Sequence, residues 1–151
     1  MISKKTKYGL KALFYLAKHY GCGPVLIMDL AETEHIPKKF LELILLNLKN
    51  KGLLQSKKGK GGGYILGKPP DKITMGEVIR ILDGPLAPVS CVSQTAYRKC
   101  EECRDEKTCG IRLVMQEVRD AMANILDKTS LADLLERVKH ASEKSAFDYI
   151  I

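Results

Sequence analysis

The densest chemistry in this chain lies between residues 91 and 109, where Cys91, Cys100, Cys103 and Cys109 supply four of its five cysteines. Cysteine ordinarily packs as a small buried hydrophobe. Here the thiols share their stretch with Arg98, Lys99, Glu101, Glu102, Arg104, Asp105, Glu106 and Lys107, and no apolar run is present to bury them. Three explanations compete: a metal or iron–sulfur site ordering a segment that no core could order, a disulfide or thiol switch, or inert thiols. The Cys100-x2-Cys103 pair places two sulfurs on one tight turn, within reach of a common centre, as in zinc and iron–sulfur ligation. A zinc knuckle shows two such pairs and this stretch has one, so zinc is weakly specified and spacing alone does not separate it from a cluster. Cys109 is expected to open a helix, whose dipole favours a thiolate. Arg98, Lys99, Arg104, Lys107 and Arg112 would help balance an anionic cluster.

The rest of the chain must position this loop. At 151 residues it suits one compact domain, or a small domain with a dimerisation arm. No apolar run approaches the roughly 20 residues that a membrane span requires. The N-terminus lacks the apolar segment and cleavage site of a secretory signal. A cytoplasmic protein with reduced thiols is therefore expected. Charge is unevenly placed: residues 1–68 carry thirteen lysines against four acids, a net of about +9, while the remainder is near neutral at about −2. That asymmetry is the footprint of a polyanion-binding unit.

Periodicity predicts a mainly α fold. A first helix runs from about Lys4 to Tyr20 with Leu10, Leu13, Phe14 and Ala17 on one stripe. Residues 28–33 form a short helix with Asp29 as a possible N-cap, and residues 33–36 make a turn. Pro37 opens a second helix to Asn50, with Leu41, Ile44, Leu45 and Leu48 as its buried face. Two helices joined by a tight turn, the second opening with Lys38 and Lys39, make a helix-turn-helix; a plain helical hairpin is the alternative. Residues 53–56 and 63–66 read as two short strands around the basic, glycine-rich tip Lys57-Lys58-Gly59-Lys60-Gly61-Gly62. Such a tip can lie close against a phosphate backbone. It matches neither glycine-rich nucleotide-binding pattern, because a strand follows it. Thr74-Met75-Gly76-Glu77 is a capping box opening a helix with Met75, Val78, Ile79 and Leu82 on one face. After Cys109 a long helix to about Asp127 carries a seam of Ile111, Met115, Val118, Met122 and Ile125, suited to dimerisation or to packing on the chain's own first helix. Thr129-Ser130 caps a last helix through Val138, and residues 141–151 read as a loose tail. The division expected is a DNA-binding unit over 1–68, a linker and connecting helix over 69–89, a cysteine loop over 90–110, and a dimerisation helix with C-terminal segment over 111–151.

These residues resemble a known family. Tyr8-Gly9-Leu10-Lys11-Ala12-Leu13, Leu30-Ala31-Glu32, Ile36-Pro37-Lys38-Lys39-Phe40-Leu41-Glu42 and above all Gly59-Lys60-Gly61-Gly62-Gly63-Tyr64-Ile65-Leu66 look like the IscR/NsrR/CymR group of bacterial winged-helix regulators. Asp83-Gly84-Pro85 and Thr129-Ser130-Leu131-Ala132-Asp133-Leu134 also fit, so the likeness covers roughly residues 1–135. The resemblance implies a homodimer with a winged helix-turn-helix, a small β-hairpin wing and a long C-terminal dimerisation helix. It implies cluster ligation by Cys91, Cys103 and Cys109, with Cys100 extra, and DNA contacts from Lys39, Glu42 and Lys58. Two departures stand out. Arg112 occupies the place of the histidine ligand of IscR-like members, and Lys7 that of the aspartate ligand of NsrR-like members. Cys100 could take the fourth position, or that position could be open.

The expectation is thus a non-enzymatic, sequence-specific transcription regulator. Its candidate contacts to double-stranded DNA are Lys5, Lys38, Lys39, Glu42, Lys57, Lys58, Lys60, Gly61, Gly62 and Tyr64. Its candidate metal ligands are Cys91, Cys100, Cys103 and Cys109. The cofactor expected is a [2Fe–2S] or [4Fe–4S] cluster reporting cluster, redox or nitric oxide status, with zinc, thiol oxidation or a response to cysteine metabolism as the alternative. A small iron–sulfur electron carrier is a third reading, disfavoured because His19, His35 and His140 lie far from the loop and no nucleophile–base constellation is visible.

Overall fold

The computed structural model describes residues 1–150. Six helices and one hairpin follow in the order α1 (Lys4–Lys18), α2 (Ile27–Glu34), α3 (Lys38–Asn50), β1 (Leu54–Lys57), β2 (Gly63–Leu66), α4 (Met75–Leu82), α5 (Gly110–Leu126) and α6 (Leu131–Ile150). Short 3-10 turns lie at Pro70–Lys72 and Ser90–Val92. The two strands pair antiparallel with Leu54 opposite Leu66 and Lys57 opposite Gly63.

One core holds the N-terminal unit. Leu41, Ile44, Leu45 and Leu48 of α3 are buried as their spacing requires, against Leu13 and Leu16 of α1, Leu30 of α2, and Leu54 and Leu66 of the hairpin. The α1 stripe differs from the expected one. Ala12, Leu13, Leu16 and Ala17 are its buried apolar residues, while Leu10 and Phe14 are half-buried and line an open apolar groove with Leu134 and Val138 of α6. The reason is that α1 is packed by α3, α4 and α6 together, so its inward face is turned toward the small residues that permit close approach. Gly9 is one of these, since a Cβ there would stand 2.3 Å from Leu82 Cδ1 of α4.

Caps explain the boundaries. Ser3 Oγ accepts from Thr6 N at 3.1 Å to start α1, and Thr74 Oγ1 accepts from Glu77 N at 3.2 Å to start α4. Asp29 is no cap: α2 begins at Ile27, and Asp29 lies inside its first turn, where a carboxylate favours the helix dipole. The second half is pinned to the first by a backbone bridge, with Met75 N donating to Thr129 O and Leu131 N to Ile73 O, both at 2.9 Å. Asp127, just past α5, accepts from both terminal nitrogens of Arg80 at 2.5 and 2.9 Å. Gly76 makes room, because a Cβ there would stand 2.0 Å from Asp127 Oδ1.

One further difference from expectation lies in the last helix. The stretch read as a loose tail is helical through Ile150, with Ile151 outside the described residues. No proline or glycine follows Ser130, and His140 lies between Glu136 and Glu143 on adjacent turns at 3.9 and 3.7 Å. Along α5 no residue is buried, and Ile111, Val114, Val118 and Ile125 are exposed.

Two predictions follow from this packing. Ile44→Ala is expected to cost about 2–5 kcal/mol, read by urea denaturation at fixed protein concentration. Asp133 accepts from the backbone N and hydroxyl of Ser130 at 2.8 and 2.9 Å, and these bonds hold its carboxyl below the ordinary 3.8. A carboxyl lowered on folding stabilises above its ordinary value and loses that effect as acid protonates it. The stability gap between wild type and Asp133→Asn is therefore expected to close as pH falls below 3.8, measured by thermal unfolding across pH.

Candidate nucleic-acid interface and thiol loop

The turn between α2 and α3 is made by His35, which takes a left-handed conformation (φ 54°), and closed by Ile36 N donating to Ala31 O at 3.0 Å. This turn lets Ile36 bury while α3 swings across α2, leaving Lys38, Lys39 and Glu42 exposed on the first turns of α3. Lys38 Nζ lies 3.9 Å from Glu42 Oε1, an exposed pair of small energetic weight. Lys57, Lys58, Lys60 and Gly61 are exposed on the wing. Between helix and wing lies a groove of about 380 Å³, lined by Met28, Lys38, Glu42, Lys57, Gly59 and Gly62 among others. The structure thus gathers the basic groups of α3 and the hairpin on one side of the head.

Three of the expected contact residues sit differently. Gly62 is buried, and a Cβ there would stand 2.2 Å from Lys57 O, so it shapes the hairpin tip rather than presenting itself. Tyr64 is partly buried against the core, and its backbone exchanges two 2.9 Å hydrogen bonds with Val25, fastening the wing to the loop after α1. Lys5 is half-buried on α1 beside Asp83, away from the wing in sequence. Lys11, which enters the sequence reading only within the Tyr8–Leu13 motif, is structural: its ammonium donates to Glu34 O at 2.6 Å. Leu43 and Leu46 were not singled out from the sequence at all, yet both stand exposed on α3. Their signal was available, as apolar residues outside the Leu41–Leu48 stripe.

The thiol loop is held by its own polar side chains. Ala96 N donates to Ser93 Oγ at 2.9 Å, Lys107 N to Asp105 Oδ1 at 3.0 Å, and Thr108 Oγ1 to Asp105 Oδ2 at 3.2 Å; the Tyr97 hydroxyl donates to Glu106. Cys100 and Cys103 share a turn, with Cys103 N donating to Cys100 O at 3.2 Å, and Cys109 is the N-cap residue of α5. Partial removal from water pushes the Cys103 thiol up, and the neighbouring Cys109 and Cys100 push it further. Cys100 and Cys103 thus share one turn and Cys109 opens the next helix, and thiolates on such a loop would repel one another unless a cation joined them. Cys91 sits on the 3-10 turn at Ser90–Val92, and the Tyr97 phenol is raised above its ordinary value chiefly by its hydrogen bond to Glu106. Arg112 Nε is buried without a hydrogen-bond partner. All five cysteines are free thiols, and among the described residues no group of three or more His, Cys, Asp or Glu side chains is arranged as a metal site. The loop is tied to α5 by Arg119 Nη1 donating to Val92 O at 2.8 Å.

A helix-turn-helix followed by a basic two-stranded wing is the architecture of a winged-helix transcription regulator. The family model described as "Rrf2: Iron-dependent Transcriptional regulator" matches residues 2–137, and the chain belongs to this family. A Rhodobacter capsulatus protein named as an rrf2-like HTH-type regulator is 41% identical over 89% of this chain and 92% of its own. The solved structure of CymR, the global cysteine regulator of Bacillus subtilis, superposes with a TM-score of 0.76 at 37% identity, covering 91% of this chain and 97% of that one. That of T. potens IscR gives 0.75 at 30% identity, covering 93% and 90%. The chain is a transcriptional regulator and not an enzyme.

If the exposed lysines meet phosphates, Lys39→Ala and Lys58→Ala should each weaken duplex binding and lower the slope of log K against log salt by about one. Lys11→Ala, whose ammonium is engaged by Glu34 O, should leave that slope unchanged. Fluorescence anisotropy over a salt series reads both.

Proposed function

We propose that the protein is a homodimeric, cytoplasmic DNA-binding regulator whose thiol loop takes an iron–sulfur cluster and whose DNA affinity depends on that loop. The observation carrying this reading is the shared turn of Cys100 and Cys103, with Cys109 opening α5, on a charged segment with no core of its own. The donor set fits a soft, cationic centre: Cys91, Cys103 and Cys109 would hold it, with Cys100 taking the fourth position that Arg112 and Lys7 do not supply. When bound, such a group supplies one-electron and ligand-exchange chemistry responsive to oxidants or nitric oxide. The chain does the rest. Arg119 ties the loop to α5 through Val92 O, and Asp127 ties α5 to α4 through Arg80. Ordering of residues 91–109 thereby biases how α5, and a partner's head, stand relative to α3. The cluster can then change DNA affinity by no more than its own differential affinity for the two loop arrangements. The exposed apolar face of α5, with Ile111, Val114, Val118 and Ile125, is the surface a second copy would cover.

A second reading is favoured by the free state of all four thiols in residues 91–109. The same regulator would then work by thiol oxidation or hold zinc, in keeping with a neighbour titled as a global cysteine regulator. Anaerobic purification separates the two. Visible absorption with stoichiometric iron and sulfide, lost on replacing Cys91, Cys103 or Cys109 by serine, is the expected result. Colourless protein with zinc, or with neither metal, selects the second reading.

A further inference from the structure

The outward face of α3 is not uniformly polar. An α-helix advances 100° per residue, so Lys39, Leu43, Leu46 and Asn50, at steps of four, three and four, form a line opposite the buried Leu41, Ile44, Leu45 and Leu48. In the middle of that line Leu43 is 68% exposed and Leu46 47% exposed. A single exposed leucine needs no explanation. Two on successive turns, at the centre of the face a recognition helix turns outward and next to Lys38 and Lys39, do. A second copy of the chain is a poor occupant, because it would bring the lysines of both copies together. The lysines instead complement a polyanion, and the major groove of a duplex offers one apolar group on its base edges, the C5-methyl of thymine.

We infer that Leu43 and Leu46 are specificity-determining residues that pack against thymine C5-methyl groups, making this regulator select thymine at one or two positions of each half-site. This rests on the DNA-binding reading above. Burying one methyl is worth about a fourfold change in affinity. The lysines position the helix on phosphates and carry no sequence information, so discrimination falls to the side chains on the central line. Glu42, at its flank and paired with Lys38, is a polar neighbour of the same face.

The test begins with duplexes selected by the full-length protein from a randomised pool. Each thymine of a selected duplex is then replaced singly by deoxyuridine, which removes the methyl and leaves pairing intact. With wild-type protein, one or two replacements per half-site should weaken binding about fourfold. With Leu43→Ala or Leu46→Ala, measured at about 50 mM salt so that phosphate contacts sustain binding, at least one of those losses should vanish while the salt slope stays unchanged. Both positions are exposed, and an unaltered far-UV spectrum confirms that the variants fold. Indifference to every uridine, or losses that persist in both variants, overturns the inference while leaving DNA binding intact. Failure of the wild type to bind any duplex overturns the DNA-binding reading and this inference with it.

Discussion

The structure depends on how its second half is fastened to the winged-helix head. That fastening combines the Arg80–Asp127 pair, two backbone hydrogen bonds linking residues 73–75 to 129–131, the glycine at 76 that makes room for the carboxylate, and the burial of Leu131 of α6 in the head's core. The pair holds Asp127 below and Arg80 above their ordinary values, chiefly through the hydrogen bonds between them. Both side chains are more than a third exposed, so the pair is worth at most about 1 kcal/mol. Its importance is geometric. It sets the end of α5 against the first turn of α4, where the helix dipole also favours a carboxylate, and α4 in turn packs on Gly9 of α1 through Leu82.

Given that anchor, the molecule divides into a head that is stable by burial and a loop that is not. The head closes a shared core of leucine and isoleucine from α1, α2, α3, the hairpin and α4. The loop contributes Val92 and Ser93 to the buried set and otherwise relies on short-range polar bonds among exposed residues. A few such bonds are individually worth about 1 kcal/mol, a scale on which a bound cofactor or a new covalent link can decide the conformation. A rigid head and an adaptable loop, joined through α5, are the arrangement on which the proposed coupling of loop chemistry to DNA binding rests.

Much of the head was legible because its signals are periodic and local. The Leu41–Leu48 stripe, the Thr74 and Ser130 caps and the glycine-rich hairpin tip each specify their own structure within one or two turns of chain. On α1 Leu13 and Ala17 are core as their spacing predicts, whereas Leu10 only flanks the core and Phe14 is half-buried, because the fold packs the small Gly9 and Ala12 inward where three helices converge. The tail was underestimated because its apolar residues, Phe147, Tyr149 and Ile150, show no stripe that a core would demand; intrinsic helix formers carry it instead. In the candidate interface the lysines were readable from charge, but the burial of Gly62 and the docking of Tyr64 on Val25 depend on contacts between segments distant in sequence. The thiol loop was legible as a composition anomaly.

The measurement that bears most directly on this account is hydrogen–deuterium exchange on anaerobically isolated protein, before and after iron is removed with a chelator. Transmission from loop to head predicts lost protection over residues 90–109 that continues along α5 and reaches residues 73–75 and 129–131. A change confined to the loop, with the bridge and α3 unaltered, would contradict it.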